Sequence, residues 1–154
     1  MPERDDTDND RTDRDLLDVQ TLPILGLSLR SILAVAIGGA LGSVARYLLG
    51  ATHTIAPGHL PWVTLTVNLS GSFLIGCILP LTDRFAGTLP NARSFLVVGV
   101  LGGWTTYSTF AVDTTLLLHH GAYATCALYV VITLVGGLAL VVIGHAMGKR
   151  LAAP

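Results

Sequence analysis

The chain has 154 residues, 51% of them hydrophobic and 12% charged, with a formal net charge of −1. Soluble domains carry roughly 25% charged residues, so this composition, with a mean hydropathy of +0.65, excludes a soluble globular fold and describes a membrane protein. No basic surface of the kind nucleic acids require is present, and no nucleic-acid partner is expected.

The charges are unevenly placed. Residues 1–30 hold four of the nine basic and eight of the ten acidic side chains, leaving seven charged residues in the other 124. Residues 1–22, rich in Asp and Arg, are expected to form a disordered polar tail, because they hold too little apolar surface to offset the entropy of ordering. An acidic start and a late hydrophobic region do not suit a secretory signal. Residues 23–150 then form one transmembrane domain, and 151–154 a short C-terminal end.

About 20 apolar residues are needed to cross a hydrocarbon core as helix. Four windows meet that length: Ser31 to Ala51, Trp62 to Leu81, Phe95 to Leu118 and Ala124 to Met147. The connectors carry breakers: Pro57, Gly58 and Pro61, then Gly87 and Pro90, then Gly121. The first helix contains Gly38-xxx-Gly42, a spacing that lets helices approach closely. It also contains Arg46, placed either to snorkel at the membrane edge or to attract an anion. In the second helix Thr64, Asn68 and Ser72 recur every four residues and share a face.

The third helix is interrupted. Gly99-Val-Leu-Gly-Gly-Trp-Thr-Thr-Tyr-Ser-Thr-Phe110 puts a glycine pair and a run of hydroxyls at bilayer depth, and such a stretch survives in lipid only if it is buried in protein or lines a polar cavity. The helix is expected to break near residues 102–106. Gly99-xxx-Gly103 supplies a second close-approach spacing. Tyr107 and Phe110 lie on one face, and Asp113 follows as a buried carboxylate, suited to a proton relay or to bonding a helix end. The fourth helix carries Thr125, Tyr129 and Thr133 on one stripe that continues to Gly137, beside Gly136.

Taken singly, these Ser and Thr side chains suit bonds to their own i−4 carbonyls. Taken together with the break, they would line a narrow track of hydroxyl and amide donors almost free of negative charge, a chemistry that favours a small anion. Cys77 and Cys126 sit in apolar runs without metal or redox spacing, and the histidines form no ligand set.

Three ordered motifs resemble one family over nearly all of residues 31–150. Gly38-Gly-Ala-Leu-Gly-Ser-Val-Ala-Arg-Tyr47, Thr64-Leu-Thr-Val-Asn68 with Gly71-Ser-Phe73, and Gly102-Gly-Trp-Thr-Thr-Tyr-Ser-Thr-Phe110 are similar to those of the CrcB/Fluc fluoride channels. The resemblance implies an all-α membrane protein of four transmembrane helices, assembled as an antiparallel dimer that passively exports fluoride. It implies a structural sodium ion at the dimer axis, held by the backbone carbonyls of Gly102 and Thr105 from both subunits. It places Asn68, Tyr107, Ser108, Thr109, Phe110, Tyr129 and Thr133 along the fluoride path. This chain departs from the family's usual pattern at Tyr107 (usually Phe), Asp113 (usually Glu) and Val63 (usually Gly).

Orientation follows from cation placement. With four crossings, the N-terminus, the second connector and the C-terminus share one side, which holds Arg30, Arg84, Arg93, Lys149 and Arg150, while the opposite loops hold no Lys or Arg. Both termini are therefore expected in the cytoplasm, and the resemblance implies that the membrane is the plasma membrane of a prokaryotic cell. An antiparallel homodimer needs copies inserted both ways, so this bias leads us to expect pairing with an oppositely oriented homologue. A small four-helix proton-coupled drug exporter fits less well, because no acid lies in the first helix. A non-transporting assembly subunit leaves the aligned donors unexplained, and no nucleophile, base or metal set suggests an enzyme.

Overall fold

The structure, a computed structural model, describes residues 21–22, 27–52 and 56–153. Most of the expected disordered tail lies outside these residues. Thr21 and Leu22, which the composition assigns to that tail, form strand β1, paired antiparallel with β2 (Leu27–Ser28) in the register Thr21 to Ser28 and Leu22 to Leu27.

Four helical spans follow: α1 (Leu29–Ala51), α2 (Trp62–Arg84), a third over Arg93–His119 and a fourth over Tyr123–Leu151. Each is at least 23 residues long, or about 35 Å at 1.5 Å per residue, enough to cross a bilayer core. The chain is thus a multi-pass membrane protein whose spans are all helical.

Ser28 caps α1, its hydroxyl accepting from the Ser31 N–H at 3.2 Å. The first and third connectors each turn at a glycine with positive φ, Gly58 at 76° and Gly121 at 70°, a region L side chains avoid. In the third span, Arg93–Leu101 is π-helical and runs into an α-helical turn, Gly102–Trp104; these together are α3. Thr105 and Thr106 are extended, at φ/ψ −70°/155° and −145°/125°. Helix α4 (Tyr107–His119) restarts beyond them. The fourth span, α5, is helical throughout, with a π-helical segment at Ile132–Gly136.

Glycines set the packing. A Cβ at Gly38 would run into the Phe95 carbonyl, one at Gly42 into the Val100 carbonyl, and one at Gly103 into the Gly39 carbonyl, so α1 and α3 meet backbone to backbone. Helices α2 and α5 meet the same way: Gly76 rests on the Val141 carbonyl, Gly144 on that of Phe73 and Gly148 on that of Cys77. Gly136 and Gly137 contact only side chains, Leu69 and Ser72. With no hydrophobic drive between helices in lipid, such contact surfaces hold the bundle by dispersion.

The buried core, Leu65, Leu117, Cys126 and Tyr129, lies between α2, α4 and α5 and is packed by Leu60, Leu69, Phe110, Ala122 and Ile132. Both cysteines are buried and free. Outward faces are apolar; Leu33, Ile37, Leu41 and Val44 of α1 are each more than half exposed, a surface suited to lipid or another membrane chain.

Leucine at Gly42 or at Gly144 is expected to force the paired helices apart, at about 1–3 kcal/mol for overpacking, whereas Gly50→Ala, with open space around it, should be neutral or stabilising. Thermal unfolding in detergent, followed by circular dichroism, checks the contrast.

Candidate functional site

The break at Thr105 and Thr106 removes helical hydrogen bonds, and the structure replaces them with side chains. In a continuous helix the Thr106 N–H would bond the Gly102 carbonyl. Here it donates to Asn68 Oδ1 at 2.8 Å, and Asn68 Nδ2 donates to the Thr106 carbonyl at 3.0 Å. One amide from α2 therefore satisfies both backbone groups of the break residue. The Thr109 N–H, which a helix would give to the Thr105 carbonyl, instead donates to Thr106 Oγ1 at 3.2 Å, capping α4. The Thr106 hydroxyl also donates to Thr109 Oγ1 at 3.0 Å and shares a hydrogen bond with Ser108 Oγ at 3.3 Å.

The exchange has a chemical result at the carbonyls. Those of Gly102 and Thr105, the pair the motif resemblance nominates for a cation, are released from their i+4 donors by the bonds of Asn68 and Thr106. Gly103 differs: its carbonyl accepts from Arg46 Nε at 3.1 Å. Leu101 differs again, its carbonyl taking both the Thr105 N–H and the Thr105 hydroxyl at 3.0 Å. Free backbone oxygens of this kind suit a hard cation.

Aromatic rings continue from the break. Tyr107 and Phe110 have centroids 6.1 Å apart and planes 40° apart, and Phe110 and Tyr129 lie 5.2 Å apart at 41°. Their burial separates them, for Tyr129 is 0% exposed while Tyr107 is 81% exposed on the outside of the single chain. Ser108 and Gly102 are also exposed, whereas Asn68, Thr109, Phe110 and Thr133 are partly buried. The Tyr129 hydroxyl donates to Asp113 Oδ2 at 3.3 Å, and both groups are buried. Thr64 on α2 is buried as well.

Thr133, by contrast, donates to the Tyr129 carbonyl at 2.8 Å, the i−4 bond typical of helical threonine, and Thr114 and Thr115 bond back in the same way.

Two cavities lie here, Thr64 lining one and Asp113 the other. One, of about 350 Å³, is lined by Arg46, Tyr47, Thr64, Val67, Thr106 and Thr109 among others. The other, of about 130 Å³, lies under the first connector and includes Pro57, His59, Asp113 and His120. Among the described residues no three His, Cys, Asp or Glu side chains gather as a metal site.

Sequence reasoning did not reach three of these contacts: Tyr129 on Asp113, Arg46 on Gly103, and Trp104 Nε1 donating to Ser70 Oγ at 3.1 Å. Each joins residues on different helices, and no spacing along the chain signals it.

Comparison with known proteins agrees with the motifs. The family model described as CrcB-like protein, Camphor Resistance (CrcB), matches residues 33–145. A protein named fluoride-specific ion channel FluC from Agrobacterium fabrum is 45% identical over 122 residues, covering 79% of this chain and 98% of its own. A protein of the same name from Rhodospirillum centenum is 46% identical over 115 residues, covering 71% and 90%. One from Nocardia farcinica, named fluoride-specific ion channel FluC 2, is 40% identical over 113 residues, covering 73% and 81%.

Asn68→Ala should destabilise the bundle, because two backbone groups lose their partner at about 1–3 kcal/mol each, and Thr106→Val should cost about 1 kcal/mol as a lost cap. Urea or thermal unfolding of the two variants beside the parent checks the order.

Proposed function

The chain belongs to the CrcB-like family, and from that membership we propose that it is a fluoride-specific ion channel, letting fluoride leave the cytoplasm down its gradient and so relieving fluoride toxicity. The observation that carries this reading in the chain's own structure is the Asn68–Thr106 pairing, which holds a helix break at bilayer depth beside hydroxyls and ring edges.

Fluoride is small and holds its water tightly, so a channel must offer close donors in place of that shell within a bore too narrow for larger anions. Asn68 Nδ2 carries two hydrogens. One is spent on the Thr106 carbonyl, and the other is available to an anion. Ser108 and Thr109 add hydroxyls at the N-terminus of α4, where the helix dipole favours negative charge. Phe110 and Tyr107 offer the positive edges of their rings, and Tyr129 continues the path inward. Thr133 spends its proton on the Tyr129 carbonyl and is the weakest member of the set. Arg46, beside Thr106 and Thr109 in the larger cavity, attracts the anion while steadying Gly103.

The exposure of Tyr107, Ser108 and Gly102 in a single chain supports a path completed by a second subunit. In an antiparallel dimer the Gly102 and Thr105 carbonyls of both subunits would face one sodium ion. Bound there, the ion supplies a fixed positive charge that joins the two breaks. Arg30, Arg84, Arg93, Lys149 and Arg150 are all exposed, and the opposite connectors lack Lys and Arg. This asymmetry favours one insertion direction, both termini in the cytoplasm of a prokaryotic cell, and hence a partner of opposite bias.

Fluoride-electrode recordings of efflux from liposomes test the reading. Liposomes holding this chain with an oppositely oriented homologue should release fluoride and retain chloride, while those holding this chain alone should not. Release by the chain alone would remove the obligate pairing, and no release from either preparation would remove the channel. Phe110→Ile in the conducting preparation should cut the flux at least tenfold while the variant keeps its helical circular dichroism spectrum; unaltered flux would take Phe110 off the path.

A further inference from the structure

The five cations set apart by topology form one surface at the end of the bundle. Ser31 Oγ donates to Asn91 Oδ1 at 3.2 Å, joining the start of α1 to the start of α3. Arg93 pairs with Asp83 at 3.4 Å, joining α3 to the end of α2. Arg84 donates to the carbonyls of Ala152 and Ala153, joining α2 to the end of α5. Arg30, Arg84, Arg93, Lys149 and Arg150 therefore ring one end of the molecule. All five are exposed, with Asp83 as the one acidic side chain among them in the described residues.

The segment that precedes this end carries the opposite charge. Residues 1–20 contain eight acidic and three basic side chains. Their attachment point is fixed: Thr21 pairs with Ser28, the N-cap of α1, two residues before Arg30 in the sequence. Twenty residues reach at most roughly 65–70 Å when fully extended, well beyond the two or three interhelical distances of about 8–10 Å that separate these cations. That reach covers the whole ring.

We propose that residues 1–20 fold back in cis onto this ring and neutralise it as an electrostatic cover. Tethering presents the acids at an effective concentration in the millimolar range, without needing a unique bound conformation. Anionic lipid headgroups are the rival occupant, attracted at about 1 kcal/mol per cation; the tether and the excess of acids favour the tail. The cover would lower the positive potential that otherwise concentrates small anions at that end of the molecule, and it would weaken as salt shortens the Debye length from about 10 Å at 0.1 M to about 3 Å at 1 M. The inference needs neither the fluoride reading nor the direction of insertion.

The sequence contains a single lysine, Lys149, which gives the test a unique product. The full chain in neutral-lipid nanodiscs is treated with a carbodiimide, which joins a carboxylate directly to an amine, and the peptides are identified by mass spectrometry. An amide between Lys149 and one of the acids in residues 3–18 is expected at low salt. It should fall several-fold in 1 M salt and in a variant with the seven tail aspartates changed to Asn, and vanish in Lys149→Arg, which keeps the charge. It should persist when a third of the lipid is phosphatidylglycerol. No tail-to-Lys149 product at low salt would overturn the proposal. Loss of the product on adding phosphatidylglycerol would overturn it too, assigning the ring to headgroups. A product joining isotopically distinct copies would replace the cover in cis by one in trans.

Discussion

Backbone polarity at bilayer depth is the constraint on which the rest depends. A membrane helix satisfies its own N–H and C=O groups and any interruption exposes them, at several kcal/mol each where water is absent. This chain extends two residues, Thr105 and Thr106, in its third span and satisfies the gap with an amide from α2 and a hydroxyl from Thr106 itself. Every other part of the candidate site is organised by that repair. The released carbonyls lie on one side of it, the capped N-terminus of α4 on the other, and the rings follow one turn later.

Such a repair requires the helices to come close, and the glycine contacts provide this. Where Gly38, Gly42 and Gly103 bring α1 against α3, Arg46 is carried within reach of the Gly103 carbonyl. Where Gly71 meets Thr105 and Trp104, α2 lies against the break and Asn68, one turn earlier, reaches Thr106. Larger residues there would leave the side chains chemically intact but too distant to bond. Close packing and polar satisfaction are thus one requirement.

The four spans were legible because an apolar window of bilayer length has few other uses. The helices nevertheless run past the windows, to Arg84 and Leu151 rather than Leu81 and Met147, since backbone bonding continues into polar residues where the hydropathy signal stops. The glycine spacings in α1 and α3 pointed to a real contact, while Gly144 and Gly148 carry the same spacing and were there to be read. They rest on the Phe73 and Cys77 carbonyls of α2, which no glycine spacing on that helix marks. The hydroxyl stripes divided: Thr133 bonds its own helix, as an isolated threonine commonly does, while Thr106 became a cap. Asn68 stood out at once by its position, but its two hydrogen bonds with Thr106 join residues 38 apart, and only the tertiary structure brings them together.

The order of these residues along the chain bears on assembly. Arg46 and Asn68, the two side chains that grip the break from outside its own segment, precede it in sequence. Synthesis runs from the N-terminus, so both enter the membrane before residues 102–109 leave the ribosome. The least lipid-compatible stretch of the chain thus meets its hydrogen-bond partners already in place, and need not spend time in hydrocarbon with its backbone bare.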